Sequence, residues 1–247
     1  EGVDTYWIGK PVRTGVGQNY NLDFGGGDEQ FRYTMNLSYN GVAGAMKGSY
    51  RNNFNGTLSI SYLLRQFRFM NTFSLGMNNS EDSPYGTFSD YVSLNPYWNP
   101  YDEEGRLVKS FTTFGSSTST SPIANPLWEG SINKFDKDKY TNIRNTFRVE
   151  WDVAKGLKLS TNFGYTSQTD REDRFVPKSS NEFNNTSDPD AMGSYTWGYR
   201  EMRSWQLGLT TSYGNTFGRH SVFVGLDGSL YDTKSLGYSL WVRGFAN

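Results

Sequence analysis

The chain has no cysteine, a single histidine and only eight prolines in 247 residues. Each shortage removes a class of protein. Without thiols there is no disulfide framework and no thiolate-bound metal, which suits an exported bacterial protein. No window approaches the run of about 18 apolar residues that a membrane helix needs, so a helical membrane protein is excluded. Charge of either sign is also scarce in net terms. The formal net charge is -1 and there is no long basic run, so nothing points to a nucleic-acid surface. No low-complexity tract or long internal repeat is present. The chain begins at Glu1 with no signal segment, so either one has been removed or the sequence starts within a longer protein.

What the chain does hold is aromatic. Hydrophobic residues make up only 35% while aromatics reach 17%, alongside twenty-seven glycines and frequent Asn, Ser and Thr. Long polar strands and loops have that composition. The clearest stretch is Tyr140 to Thr166. Ile143, Phe147, Val149 and Trp151 alternate with Arg144, Thr146, Arg148, Glu150 and Asp152. After Val153 to Gly156 the alternation resumes, with Leu157, Leu159, Phe163 and Tyr165 set against Lys158, Ser160, Asn162 and Thr166. A period of two on both sides of a glycine-closed turn predicts an antiparallel hairpin with one apolar and one wet face.

The unit recurs along the chain. Val12 to Phe24 and Phe31 to Asn40 form one pair around a turn at 25–30, and Phe54 to Leu64 with Phe67 to Met77 form another around Arg65-Gln66. Asn71 interrupts the apolar face of the latter. Trp205 to Tyr213 and Val222 to Leu230 form the last, around 215–220, with Phe223 and Tyr231 on the wrong parity. Between them lie a connection near residue 45, a polar region from Asn79 to Lys139, a loop from about Arg171 to Arg200 and a last loop near 240. Eight strands therefore alternate short and long connections. Short turns at one end, long loops at the other and strands of about ten to thirteen residues predict an all-β, antiparallel transmembrane barrel wall. Aromatics flank the short turns, namely Phe24, Phe31, Tyr62, Phe67, Trp151, Tyr213 and Phe217. They read as an interfacial girdle. A soluble β-sandwich is the competing architecture, although its core favours Val, Ile and Leu.

The run Arg13-Thr14-Gly15, Gln18 to Leu22 and Gly25-Gly26-Gly27-Asp28-Glu29 resembles the early barrel strands of SusC/RagA-like TonB-dependent transporters. Asn125-Pro126-Leu127, Phe135-Asp136-Lys137 and Val149-Glu150-Trp151 extend the resemblance. The resemblance implies that residues 1–247 are about eight strands of one plugged 22-stranded barrel domain in the cell outer membrane. It also implies import of glycans or oligopeptides with a SusD-like surface lipoprotein, and coupling to TonB through a region outside this chain. Two other readings stay open at this point: a complete eight-stranded barrel acting as adhesin or anchor, and a secreted carbohydrate-binding β-domain.

No enzymatic signature is present and no cofactor is implied. His220 beside Ser221 sits at a predicted short turn, without the geometry of a triad. Asp102-Glu103-Glu104-Gly105 lacks the alternating ligands of a calcium loop and reads as a solvated turn. The candidate substrate contacts lie in the longest loop: Tyr97, Trp98, Tyr101 and, further on, Trp128. Sugar rings stack on such side chains, while packing within the loop is the competing role.

Overall fold

The computed structural model describes residues 3–111 and 122–244. Eight long strands form one antiparallel sheet in which neighbours follow chain order: β1 (Val16–Gly27), β2 (Phe31–Ala43), β3 (Tyr50–Leu64), β4 (Phe67–Glu81), β7 (Phe135–Ala154), β8 (Leu157–Val176), β9 (Ser194–Phe217) and β10 (His220–Arg243). A two-residue ladder, β5 (Ser110–Phe111) with β6 (Ile123–Ala124), stands apart. The sheet is open, with no pairing between β1 and β10 among the described residues.

The short turns are where alternation placed them. Arg65 takes the left-handed φ of 53° and Gly156 a φ of 82°. At Gly156 a Cβ would come within 2.2 Å of the Gly214 carbonyl oxygen, so only glycine fits between these two hairpins.

Register carries the apolar face across the whole sheet. Leu58 faces Phe73, Phe147 faces Phe163, and Phe163 faces Leu207, which faces Leu230. The parity read from the sequence is therefore the parity of the ladder. Phe223 and Tyr231 belong to the other face, and the Phe223 ring lies over Gly214. Asn71 stays on the apolar face and exchanges amide hydrogen bonds with Asn145 at 3.1 and 3.2 Å. Each carboxamide satisfies the other, which removes most of the cost of an amide in apolar surroundings.

Stagger sets the slant of the strands. From Gly27, at the short-turn end of β1, the hydrogen-bonded row runs through Arg32, Ser61, Met70, Arg148, Asn162 and Gly208 to Ser229. Ser229 stands nine residues above the turn end of β10 at His220. Nine residues over seven pairings, at about 3.3 Å per residue and about 4.8 Å between strands, tilts the strands by about 40°. Barrel walls have that tilt. Each residue then rises about 2.5 Å along the barrel axis.

The apolar runs end close to ten residues from each short turn: at Phe54 in β3, Met77 in β4, Ile143 in β7, Trp205 in β9 and Leu230 in β10. The band is thus about 25 Å high, the height of the lipid-facing band of a transmembrane barrel. None of the described residues packs on it. The buried apolar core of the described residues is Trp7, Tyr91, Phe111, Leu127 and Val176, none of it in the band, whereas Leu207, Leu209, Leu226 and Leu230 are exposed. A sandwich would need a second sheet over this face, and none is present among the described residues.

Several bounds differ from the sequence expectation. β1 begins at Val16, and Val12 makes only an isolated bridge to Met46. β7 and β8 run for 20 residues and β9 and β10 for 24, beyond the ten to thirteen expected. The loop expected over 171–200 shrinks to 177–193, the long region to 82–134, and the loop near 240 is strand as far as Arg243. Above the band β7 and β8 are largely polar on both faces, so their ladder continues without the alternation that would announce it. In β9 and β10, Glu201, Arg203, Asp232 and Lys234 break the alternation before it resumes at Tyr195 to Tyr199 and Leu236 to Val242. The end at Phe245 to Asn247 lies outside the described residues.

Candidate functional site

The long-loop end carries the only well-packed core of the described chain. Trp7, Tyr91, Phe111 and Leu127 are buried together, with Met46, Tyr85, Leu94, Trp98, Leu107, Val108 and Ile123 around them. Trp7 starts a single 3-10 turn (Trp7–Gly9), meets Phe111 edge-on at 5.6 Å, and donates its indole N–H to the Asn95 carbonyl at 2.9 Å. Thr5 hydroxyl donates to the Trp98 carbonyl. The N-terminal segment is thereby sewn to the residues 95–98. Burial raises the Tyr91 hydroxyl pKa above its ordinary value, so that group stays protonated, and it donates to the Tyr85 carbonyl at 3.0 Å.

Asn125 ties the loop together. Fully buried, it donates from Nδ2 to the carbonyls of Val108 (2.7 Å) and Pro100 (3.2 Å). Its Oδ1 accepts from the Leu127 N–H at the start of the short helix Pro126–Glu129. The motif Asn125-Pro126-Leu127 is thus a helix cap that also pins two other strands of chain.

A charged clamp fixes this cap to the next loop. Glu129 accepts from the Ser180 hydroxyl (2.8 Å) and the Asn181 N–H (2.6 Å), and Lys134 bridges Glu129 (3.2 Å) and Glu182 (2.6 Å). Arg174 adds a bond to Glu182 at 3.1 Å. Burial pushes the Glu182 pKa up, but the Lys134 hydrogen bond and charge, with Arg174, outweigh it and leave the carboxyl below its ordinary value.

The four aromatics singled out in the sequence take different positions. Trp98 stacks on Phe111 at 5.1 Å within the core cluster. Trp128 is half-buried and donates its indole N–H to the Ser179 carbonyl at 2.9 Å, binding one loop to the other. Tyr97 is 75% exposed and Tyr101 is 41% exposed. Tyr101, Asn99 and Pro100 border an open hollow of about 450 Å3 with Tyr6, Gly9 and Lys10. Tyr6 and Lys10 lie in a segment that the sequence reading left unassigned, since a single 3-10 turn has no periodic signal.

His220 stands at the short-turn end of β10, and Ser221 shares a hydroxyl contact with Thr216. In the acidic turn, Asp102 accepts from the N–H groups of Glu104 and Arg106 and from the Arg106 guanidinium, which also bonds Glu104. The Arg106 backbone bond, above all, lowers the Asp102 pKa. Among the described residues no group of three or more His, Asp or Glu is placed to hold a metal.

Opposite the apolar band, the sheet presents a polar face. Asn36 donates to Asp23, Asn78 to Asn53 at 2.5 Å, and Thr57 meets Ser74 and Ser59 meets Thr72, each at 3.3 Å. Higher on the same face Asp138, Tyr140, Asp170, Glu172 and Arg200 edge a hollow of about 460 Å3, floored by Gly198 and Gly237.

No protein-family profile matches the chain, and no curated protein matches it. Solved structures do. The structure of the RagAB peptide transporter aligns with a TM-score of 0.72 at 18% identity, over 98% of this chain and 27% of that one. The RagAB peptide importer in its closed-closed state gives 0.73 at 18% identity over 99% and 28%, and in its open-open state 0.73 at 16% over 98% and 27%. This chain spans about a quarter of the length of those matched chains. It has the fold of a stretch of outer-membrane transporter barrel wall.

Proposed function

We propose that this chain forms part of the wall and the external mouth of an outer-membrane, TonB-dependent importer, working with a SusD-like surface lipoprotein and carrying glycans or oligopeptides. The single observation that supports this most is the apolar band, about 25 Å high on strands tilted by about 40°, with none of the described residues packed on it. Outward residues of the band face lipid, the polar face lines the lumen, and the packed cap faces the cell exterior. The fold likeness to a peptide transporter favours oligopeptides over glycans. Tyr97 and Tyr101 are the proposed substrate contacts. Both are exposed, and Tyr101 borders an open hollow, whereas Trp98 and Trp128 hold the loops that present them.

The test is uptake by cells whose copy of the full-length protein is deleted and then restored. Restoration is expected to recover uptake of one class, labelled oligopeptides or labelled glycans. Replacing Tyr97 and Tyr101 with Ala is expected to reduce that uptake while surface amounts stay at the parental level. Uptake of both classes unchanged by the deletion would refute an importer.

A further inference from the structure

Just above the band, the outward face carries a second kind of site. A hollow of about 340 Å3 spans β2, β3, β4 and β7 there, bordered on that face by Tyr39, Phe54, Met77, Asn52, Asn79 and Lys139. With the Ala43–Tyr50 pair further up the same face of β2 and β3, Tyr39, Phe54 and Met77 close the unbroken apolar runs of their strands. The two asparagines and Lys139 stand directly above them, two residues further along the same face in β3 and β4 and four beyond Ile143 in β7. Apolar below and polar above is the order met at a lipid headgroup.

The charges specify the ligand further. Lys139 pairs directly with Arg171 across β7 and β8, a like-charge juxtaposition that is unfavourable on its own. Among the described residues neither makes an ion pair. Nearby Glu81 reaches Lys137 at 4.0 Å and Glu201 is bonded to Arg203 at 2.5 Å, while Asp173, two residues beyond Arg171 on the same face, keeps a buried Oδ1 with no hydrogen-bond partner. The Arg171 guanidinium rests 5.8 Å from the Tyr199 ring. Asn79 Oδ1 is buried with no hydrogen-bond partner, while Asn52 Oδ1 accepts from the Tyr39 hydroxyl at 3.2 Å. Two opposed cations beside an unused amide oxygen call for an anion that also donates hydrogen bonds.

We propose that this hollow is a headgroup site for a phosphorylated glycolipid of the outer leaflet. Lys139 at the edge of the hollow and Arg171, paired with it on β8 just outside the hollow, hold the phosphate, Asn79 accepts from a sugar hydroxyl, and Tyr39, Phe54 and Met77 support the first carbons of the acyl chains. The proposal rests on the membrane reading above.

The probe is purified lipopolysaccharide added to phosphatidylcholine nanodiscs that hold the full-length protein, with retained lipid read by native mass spectrometry. The parent is expected to retain lipopolysaccharide, and millimolar inorganic phosphate is not expected to displace it. The double variant Lys139→Ala, Arg171→Ala should lower retention at least about tenfold, since two charge-assisted contacts are lost. Asn79→Leu should lower it less, and Lys155→Ala, at a short turn, should leave it unchanged. A milder double variant, Lys139→Gln, Arg171→Gln, replaces the first if that one fails to fold as judged by heat-modified gel mobility. Equal retention in parent and double variant, or loss of the lipid to inorganic phosphate alone, would overturn the proposal. Recovery of the parent protein from the soluble fraction would instead refute the membrane reading.

Discussion

Placing an arginine at Phe147 probes the band within about 5 Å of its midplane. Phe147 lies seven residues from the end of β7 at Ala154, so at about 2.5 Å of rise per residue it stands about 17 Å up a band of about 25 Å. It faces Phe163 and Asn71 across its two ladders. An arginine on the lipid side near the midplane costs about 2 to 4 kcal/mol, a factor of about 30 to 900 in the folding equilibrium. Phe147→Ala separates the lost ring from the added charge, so the difference between the two variants is the quantity of interest. Thr169→Arg, on the same face but above the band between Thr141 and Glu201, should cost less than about 1 kcal/mol. Thr146→Arg, on the polar face, should cost comparably little. The assay is urea-driven unfolding of the full-length barrel from phospholipid vesicles. If Phe147→Arg and Thr146→Arg cost the same relative to their Ala counterparts, the assignment of faces is wrong.

Other outcomes follow from single contacts. Leucine at Asn71 or at Asn145 alone should destabilise the barrel by about 1 to 3 kcal/mol, because the partner amide is stranded in an apolar face, while leucine at both should cost less than either in the same titration. Asn125→Ala should loosen residues 95–111 and 122–130 to hydrogen exchange by the loss of a cap and two buried carbonyl partners, with the barrel still inserted. For the clamp, Glu182 has its folded pKa below the unfolded value near 4.3, so its contribution is complete above that value and is lost as pH falls through the depressed folded one. Protease cutting within 177–193 should therefore rise only at acid pH in the parent. In Glu182→Gln it should already be high at neutral pH.

Inside the band the fold was legible because one face had to be apolar and the other wet. Phe147, Phe163 and Leu207 could not be placed otherwise, the turn at Gly156 announced itself by residue type, and the one at Arg65 by the alternation on either side of it. Above the band that constraint disappears. Residues 166–174 are polar on both faces and read as loop although their backbone ladder runs on, and in 194–204 the alternation of Tyr195, Trp197 and Tyr199 is cut off from the band by Glu201 and Arg203. The cap was legible only in part. Tyr97, Trp98 and Tyr101 marked a site or a core, but nothing in the spacing said that Trp98 would stack inward on Phe111 while Tyr97 turned outward. Trp7 was missed for a related reason. It joins the core through a contact across ninety residues, and a three-residue turn carries no pattern of its own.

The central claim is that odd-numbered residues of β7 and β8 within the band face lipid and even-numbered ones face an aqueous lumen. Spin labels at introduced cysteines test it directly, since this stretch has no cysteine of its own. Labels go at Phe147, Phe163, Arg148 and Asn162 in the full-length protein held in a bilayer, and relaxation is measured with oxygen and with a water-soluble nickel chelate. Labels at Phe147 and Phe163 should relax chiefly with oxygen, and labels at Arg148 and Asn162 chiefly with the chelate. Equal access of the chelate to both pairs would contradict the account.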